Sequence, residues 1–193
     1  MEKNSSLEIR RQAFHIAVGL FSVFLISYGL AGWEFFALVA VAGSIVSLIS
    51  TKRRLPIISW FLAAFERKDK IPGKGAIFFM VGIALSLLLF EEEIALASVM
   101  ILTLGDSLSH LFGRFFGKVK HPWNSYKLIE GTLLGFAAGA IGAAAFVPWI
   151  EAIIASAIAM TVEGFELRFR SRAVDDNLII PLVAGAVIYV LRL

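Results

Sequence analysis

The chain has 193 residues, is 59% hydrophobic and only 17% charged, with a mean hydropathy of +0.83 and a formal net charge of +3. Soluble domains of this length carry a smaller apolar and a larger charged fraction, so a polytopic helical membrane protein is expected and a soluble globule is excluded. There is no cysteine, which rules out disulfides and thiolate metal sites.

The chain begins "MEKNSSLEIRRQAFHIAVGL". Its mixed charges and long apolar run, without a clear cleavage site, read as a cytoplasmic head entering a retained first span. A hydrocarbon core takes about 20 apolar residues per helical crossing. Spans are therefore predicted near 12–30, 33–50, 74–90, 94–112, 131–148, 149–165 and 177–192. The sixth and seventh are short or interrupted, so six spans is the alternative to seven. The reading is an all-α transmembrane bundle in which residues 1–193 form a single integral membrane domain. Between spans two and three, the apolar and aromatic stretch Leu55 to Phe65 is too short to cross. It is either an interfacial helix or a packed loop.

Charge placement orients the bundle. With the N-terminus cytoplasmic and seven spans, 17 of the 18 Lys and Arg residues fall on the inside and only Arg192 falls outside. Cytoplasmic loops are enriched in these residues, so this topology is favoured. It also brings 10 of the 15 acidic residues to the same side, which the positive-inside rule does not require. Polar residues near 8–15, 67–74, 106–130 and 163–176 then converge on one face, as a single site would need.

Asp106 lies inside the fourth span, roughly 10 Å from its end at about 1.5 Å per residue. An ionisable group at that depth points to function. His110 and Gly113 follow on the same stripe. A carboxylate facing phosphates suits Mg²⁺, which takes one or two carboxylates together with phosphate oxygens. The structural alternative is an ion pair with Arg114 or Lys127. Arg114, Lys118, Lys120 and Lys127 are the cations that a triphosphate needs, although Lys118 and Lys120 equally suit anionic lipid. Gly113, Gly117, Gly131 and Gly135 form small-xxx-small pairs, which serve either close helix packing or backbone approach to phosphate. Lys74, flanked by glycines in "IPGKGA", starts span three as an anion site or as an ordinary turn with a snorkelling lysine. Glu8, Arg11 and His15 share one helical face; His15 is a catalytic candidate or a buried hydrogen-bonded histidine. Asp175 and Asp176 precede span seven, either as a helix cap or as metal or hydroxyl ligands, and Glu163 ends span six.

The ordered set "EIRRQAFHI", "ERKDKIPGKGAIFF", "GDSLSHLFGRFFGK", "SYKLIEGTLLG" and "DDNLIIPL" resembles the dolichol kinase, phytol kinase and CTP-dependent diacylglycerol kinase family, which is related to the CDP-diacylglycerol synthases. The resemblance runs through nearly the whole chain. It implies that Asp106 serves Mg²⁺ and nucleotide, and that Gly113, Arg114, Gly117, Lys118, Lys127, Glu130 and Gly131 surround the triphosphate. Two positions depart from the family pattern. Ser109 stands where Ala is frequent. Leu128 replaces a hydroxyl residue after Lys127, leaving that hydroxyl missing or supplied by Ser125 or Thr132.

The resemblance implies a CTP-dependent kinase that phosphorylates a polyprenol, dolichol-like or other isoprenoid alcohol at the cytoplasmic face. The expected catalytic set is Asp106, Lys127, Glu130, Asp175, Asp176 and His15. Lys74, Gly113, Arg114, Gly117, Lys118 and Gly131 are expected to bind nucleotide, and Asp106 and Asp176 to bind Mg²⁺. The alternative is a cytidylyltransferase making a CDP-lipid; a small transporter ranks third, because the polar residues crowd one face. The expected partners are a lipid alcohol, CTP and the bilayer, with no nucleic acid. The expected location is a prokaryotic cell membrane.

Overall fold

The computed structural model describes residues 2–53, 55–65, 71–122, 124–165, 168–169 and 172–193. The Arg67–Lys70 part of the second loop and the side chain of Ser125 lie outside the described residues. Each predicted span corresponds to a helix. These are α1 (Glu2–Ser27), α2 (Trp33–Lys52), α4 (Lys74–Leu89), a continuous helix through Glu92–Phe116, α7 (Ile129–Ala143), α8 (Trp149–Gly164) and α9 (Asp176–Leu191). The stretch after α2 forms a short helix, α3 (Pro56–Phe65), rather than a loop.

Among the described residues three helices are long and apolar enough to cross a membrane: Ser5–Ser27, Trp33–Lys52 and Glu92–Phe116. Pro56–Phe65, Lys74–Leu89, Ile129–Ala143 and Asp176–Leu191 are shorter apolar helices. Gly29 ends α1 with a φ of 66°. Its N–H donates to Ile26 and that of Leu30 donates to Leu25, both at 2.8 Å. This is a Schellman close, and the left-handed residue it requires costs glycine nothing.

The helix through Glu92–Phe116 forms the axis of the bundle. It comprises α5 (Glu92–Met100), a π-helical stretch over Ile101–Asp106, and α6 (Ser107–Phe116). Ile94, Ala95, Ala97, Val99, Ile101 and Leu102 are all buried in the core. The π stretch is packed by α1, α7, α8 and α9, and α4 lies between α2 and α9. π turns inside α-helices are frequent at functional sites, and this one ends on Asp106.

Two short antiparallel hairpins were not expected from the sequence. One joins β1 (Lys120–His121) to β2 (Asn124–Leu128), with an irregular register; the other joins β3 (Arg168–Phe169) to β4 (Arg172–Ala173). The first hairpin links α6 to α7, and the second links α8 to α9.

Candidate active site

The ends of α6, α8 and α9 meet beside the first hairpin. Asp106 follows the π turn, Glu163 closes α8, and Asp176 opens α9. One ligand atom from each of Asp106, His110, Glu163 and Asp176 can be chosen so that all four lie within 4.8 Å of one another. Asp106 does not pair with Arg114 or Lys127; its carboxylate faces the His110 Nε2 at 3.4 Å. Lys127 reaches in from β2. Its Nζ forms an ion pair with the Glu163 carboxylate, donates to the Glu163 carbonyl oxygen at 2.7 Å and lies 3.3 Å from Asp176 Oδ2. The Glu163 side chain is 0% exposed and that of Asp106 is 8% exposed, so the single ammonium group carries much of the charge balance.

Burial alone would lower the pKa of Lys127. The carboxylates of Glu163 and Asp176 outweigh it and raise the lysine above its ordinary 10.5.

A second ion pair joins the cluster from the other side. Lys74 Nζ lies 3.0 Å from Asp175 Oδ2. Asp175 also caps α9, accepting from the Asn177 backbone N–H at 3.3 Å and from its side-chain amide at 2.9 Å. Of the sequence readings for Asp175 the helix cap is realised, and the ion pair with Lys74 is an additional contact that was not among them. His15 packs its ring edge-on against Phe79 at 4.3 Å, and its buried Nε2 has no hydrogen-bond partner among the described residues. Glu8, four residues before Gln12, accepts from Arg11 at 2.7 Å and from Gln12 at 2.9 Å. Both contacts lie within α1.

Some of these groups, Arg11 and Gln12 among them, border a cavity of about 550 Å³, from which Lys127, Glu163 and Glu8 are set back. Asp106, His110, His15, Lys74, Asp175 and Asp176 line its polar end. The remaining expected residues lie elsewhere. Glu130 accepts the backbone N–H groups of Lys118 and Val119 at 3.0 and 3.1 Å, and so clamps the first hairpin. Arg114 and Lys118 are exposed. Gly113 and Gly131 are buried where α6 crosses α7; a Cβ on Gly131 would sit 2.9 Å from the Gly113 Cα. The Gly117 N–H donates to Gly113 and closes α6. None of these residues lines the cavity. Two members of the cluster, His110 and Glu163, stood out in the sequence only as a stripe neighbour and a helix end. Their signal was a charged or imidazole group at an apolar helix terminus.

Three similarities to known proteins accompany this geometry. The chain is 26% identical over 211 residues to CTP-dependent diacylglycerol kinase 1 of Schizosaccharomyces pombe, covering 95% of this chain and 93% of that protein. It is 28% identical over 183 residues to an uncharacterized protein of Methanocaldococcus jannaschii, covering 94% and 92% of the two chains. It is 26% identical over 133 residues to probable phytol kinase 1, chloroplastic, of Glycine max, covering 60% of this chain and 43% of that protein. The chain is thus similar to proteins named as a CTP-dependent diacylglycerol kinase and a probable phytol kinase. No family model and no solved structure matches it.

The buried cluster suits a cation. Beyond the ion pairs with His110 and Lys127, Asp106 Oδ1 and both Glu163 carboxylate oxygens have no hydrogen-bond partner among the described residues. Three carboxylates are the hard oxygen donors that a divalent ion such as Mg²⁺ prefers. His110, placed against Asp106, suits the role of orienting that carboxylate. Part of the negative charge is already met by the Lys127 ammonium, held against Glu163 and Asp176.

Proposed function

We propose that the protein is a lipid kinase that transfers the γ-phosphoryl group of CTP to the hydroxyl of a lipid alcohol at the membrane surface. The observation that carries this reading is the Asp106–Glu163–Asp176 cluster with Lys127, of which Asp106 and Asp176 line a cavity that also has apolar and aromatic walls. The relatives' names supply the donor and the class of acceptor, and an isoprenoid alcohol is the acceptor proposed.

In the reaction, the acceptor oxygen bonds to the γ-phosphorus, and the bond from that phosphorus to the β–γ bridging oxygen breaks. CDP leaves, and the hydroxyl proton passes to a protein base. Such transfers depend on positioning and on stabilising charge spread over the phosphoryl oxygens. Asp106, with Asp176 and Glu163, would hold Mg²⁺, which when bound neutralises phosphate charge. Lys127 and Lys74 bring positive charge to the two sides of the cluster. Asp175, held by Lys74, orients the acceptor hydroxyl, and His15 Nε2 receives its proton. Arg114 and Lys118, exposed on the α6 side, meet the nucleotide as it arrives. Glu130, Gly113, Gly117 and Gly131 act by fixing the hairpin and the α6–α7 crossing that carry Lys127 and Arg114.

Seven crossings with a cytoplasmic N-terminus fit the distribution of Lys and Arg and put the cluster on the cytoplasmic side. Residues 1–193 then act as one catalytic domain. A relative of nearly the same length in an archaeon fits a prokaryotic membrane.

The test supplies purified protein and Mg²⁺ with CTP labelled at the γ-phosphate and a panel of lipid alcohols and phosphatidic acids. Label in a lipid monophosphate, with CDP released, is the expected result. Label in pyrophosphate, with cytidine joined to lipid, replaces the kinase with a CDP-lipid synthase.

A further inference from the structure

The cavity has a second arm that the chemistry above does not use. It runs between α1 and α2, and α3 closes it. Although α1 and α2 are consecutive, α2 packs on α4 rather than along α1. The gap is therefore left to the cavity, which is lined there by Val39, Gly43 and Val46 of α2 and by Ile58, Leu62 and Phe65 of α3. Val39 and Val46 are each 37% exposed, so this arm also reaches the outer surface of the bundle.

The wall opposite α2 is aromatic. Phe14 of α1 meets Phe61 and Phe65 of α3, each at 5.1 Å between ring centroids. At the inner end, the Phe79–His15 contact marks the change from hydrocarbon to charge. The ten-residue α3 contains no charged residue and is about 15 Å long, too short to cross a bilayer. It is apolar on both sides: Phe61 and Leu62 face the cavity, while Ile57 and Trp60 are exposed outward. A helix apolar on both faces needs hydrocarbon on both faces. On the outside the bilayer supplies it.

We infer that the slot between α1 and α2, walled by α3, is the seat of the acceptor's hydrocarbon chain, open sideways to the bilayer and ending at His15, Asp106 and Asp175. This rests on the lipid-kinase reading for the identity of the hydroxyl at its inner end. The occupant is an apolar chain with one polar end because the α3 wall is apolar and aromatic and the slot is continuous with the charged cluster; of the polar groups that also line it, the Ser47 and Ser50 hydroxyls donate to the Pro72 and Ser47 carbonyl oxygens, and Arg11 pairs with Glu8. Its volume, in the range that encloses one small ligand, admits the head and the first part of a chain, and the rest stays in lipid. Nucleotide and acceptor thus approach from different sides, the nucleotide from the hairpin and the acceptor through the slot.

Two measurements test this. In the first, Gly43→Leu and Val46→Trp fill the slot, while Leu48→Trp, on the exposed side of α2, serves as the control. The expected result is a KM for a long-chain alcohol raised about tenfold in both filling variants. KM for CTP stays unchanged, KM for a short water-soluble alcohol stays unchanged, and the control behaves as the parent. An unchanged long-chain KM in both filling variants, with transfer intact, overturns the slot and leaves the kinase standing. In the second, a long-chain primary alcohol carrying a diazirine in its chain is photolysed with the full-length protein in nanodiscs. Label on Val46, Phe61 or Phe65 that unlabelled alcohol displaces supports the slot, whether or not the protein transfers phosphate. Label confined to Leu38, Ile45, Leu48 and Trp60, and not displaced, overturns it.

Discussion

The same three helices carry a charged cluster at each end of the bundle. At one end, Arg192 of α9 lies 2.9 Å from Glu151 of α8 and 3.6 Å from Glu93 of α5. At the other, Asp176, Glu163 and Asp106 of the same helices gather around Lys127 and His110. The first cluster is wet, with the Glu93 side chain 70% exposed. The second has a buried heart, Asp106 and Glu163, flanked by the half-buried Lys127, His110 and Asp176. An exposed ion pair contributes little, because water competes for both partners and the side chains lose entropy in pairing. A buried cluster with more carboxylates than cations is costly to assemble, and a fold retains it where the charge has work to do. Comparing the two separates charge that ties helix ends together from charge that is held for chemistry.

The largest expected effect falls on the buried end. Asp106→Asn should lower phosphoryl transfer by about a thousandfold while the thermal midpoint in detergent stays close to that of the parent. Full activity in this variant would remove the cluster from the mechanism. Next, Lys127→Met leaves Glu163 and Asp176 without their cation and should cost about 3 kcal/mol of stability, read by thermal unfolding; a neutral outcome would mean that the carboxylates are already compensated.

The pH dependence of that lysine sharpens the point. Its folded pKa is raised, so its stabilising contribution is complete below 10.5 and is lost as pH rises through the higher folded value. The parent should therefore show an alkaline fall in thermal midpoint that Lys127→Met lacks. Gly131→Leu, which pushes a side chain into the Gly113 backbone, should destabilise by about 2 kcal/mol through overpacking of the α6–α7 crossing. Its activity loss should track its loss of folded protein. The smallest effect belongs to the wet end: Glu93→Gln should change stability by less than about 0.5 kcal/mol and leave transfer unaltered. A large loss there would erase the distinction between the two clusters.

Much of this was legible in the sequence for a simple reason. Apolar runs of membrane length must form helices, because a backbone in hydrocarbon has to satisfy its own hydrogen bonds. A helix stands at each predicted span, although among the described residues only three of them are long and apolar enough to cross a membrane, and Pro56–Phe65 is helical as well. Asp106 was conspicuous because charge is expensive inside an apolar run. The hairpins were not legible, since strands of two to five residues are too short to show an alternating pattern.

The sequence by itself determined the helical class, the apolar segments and the polar residues worth attention, because each follows from the local cost of placing a side chain or peptide group in hydrocarbon. The tertiary structure alone decided which polar residues meet. Asp106, His110, Glu163, Asp176 and Lys127 come from four elements whose contact depends on how α6, α8 and α9 pack. It also decided that Ile101–Asp106 is π-helical, and that α2 leaves α1 to pack on α4 and opens the slot. These outcomes depend on how whole surfaces fit against one another, and no window of neighbouring residues encodes that fit.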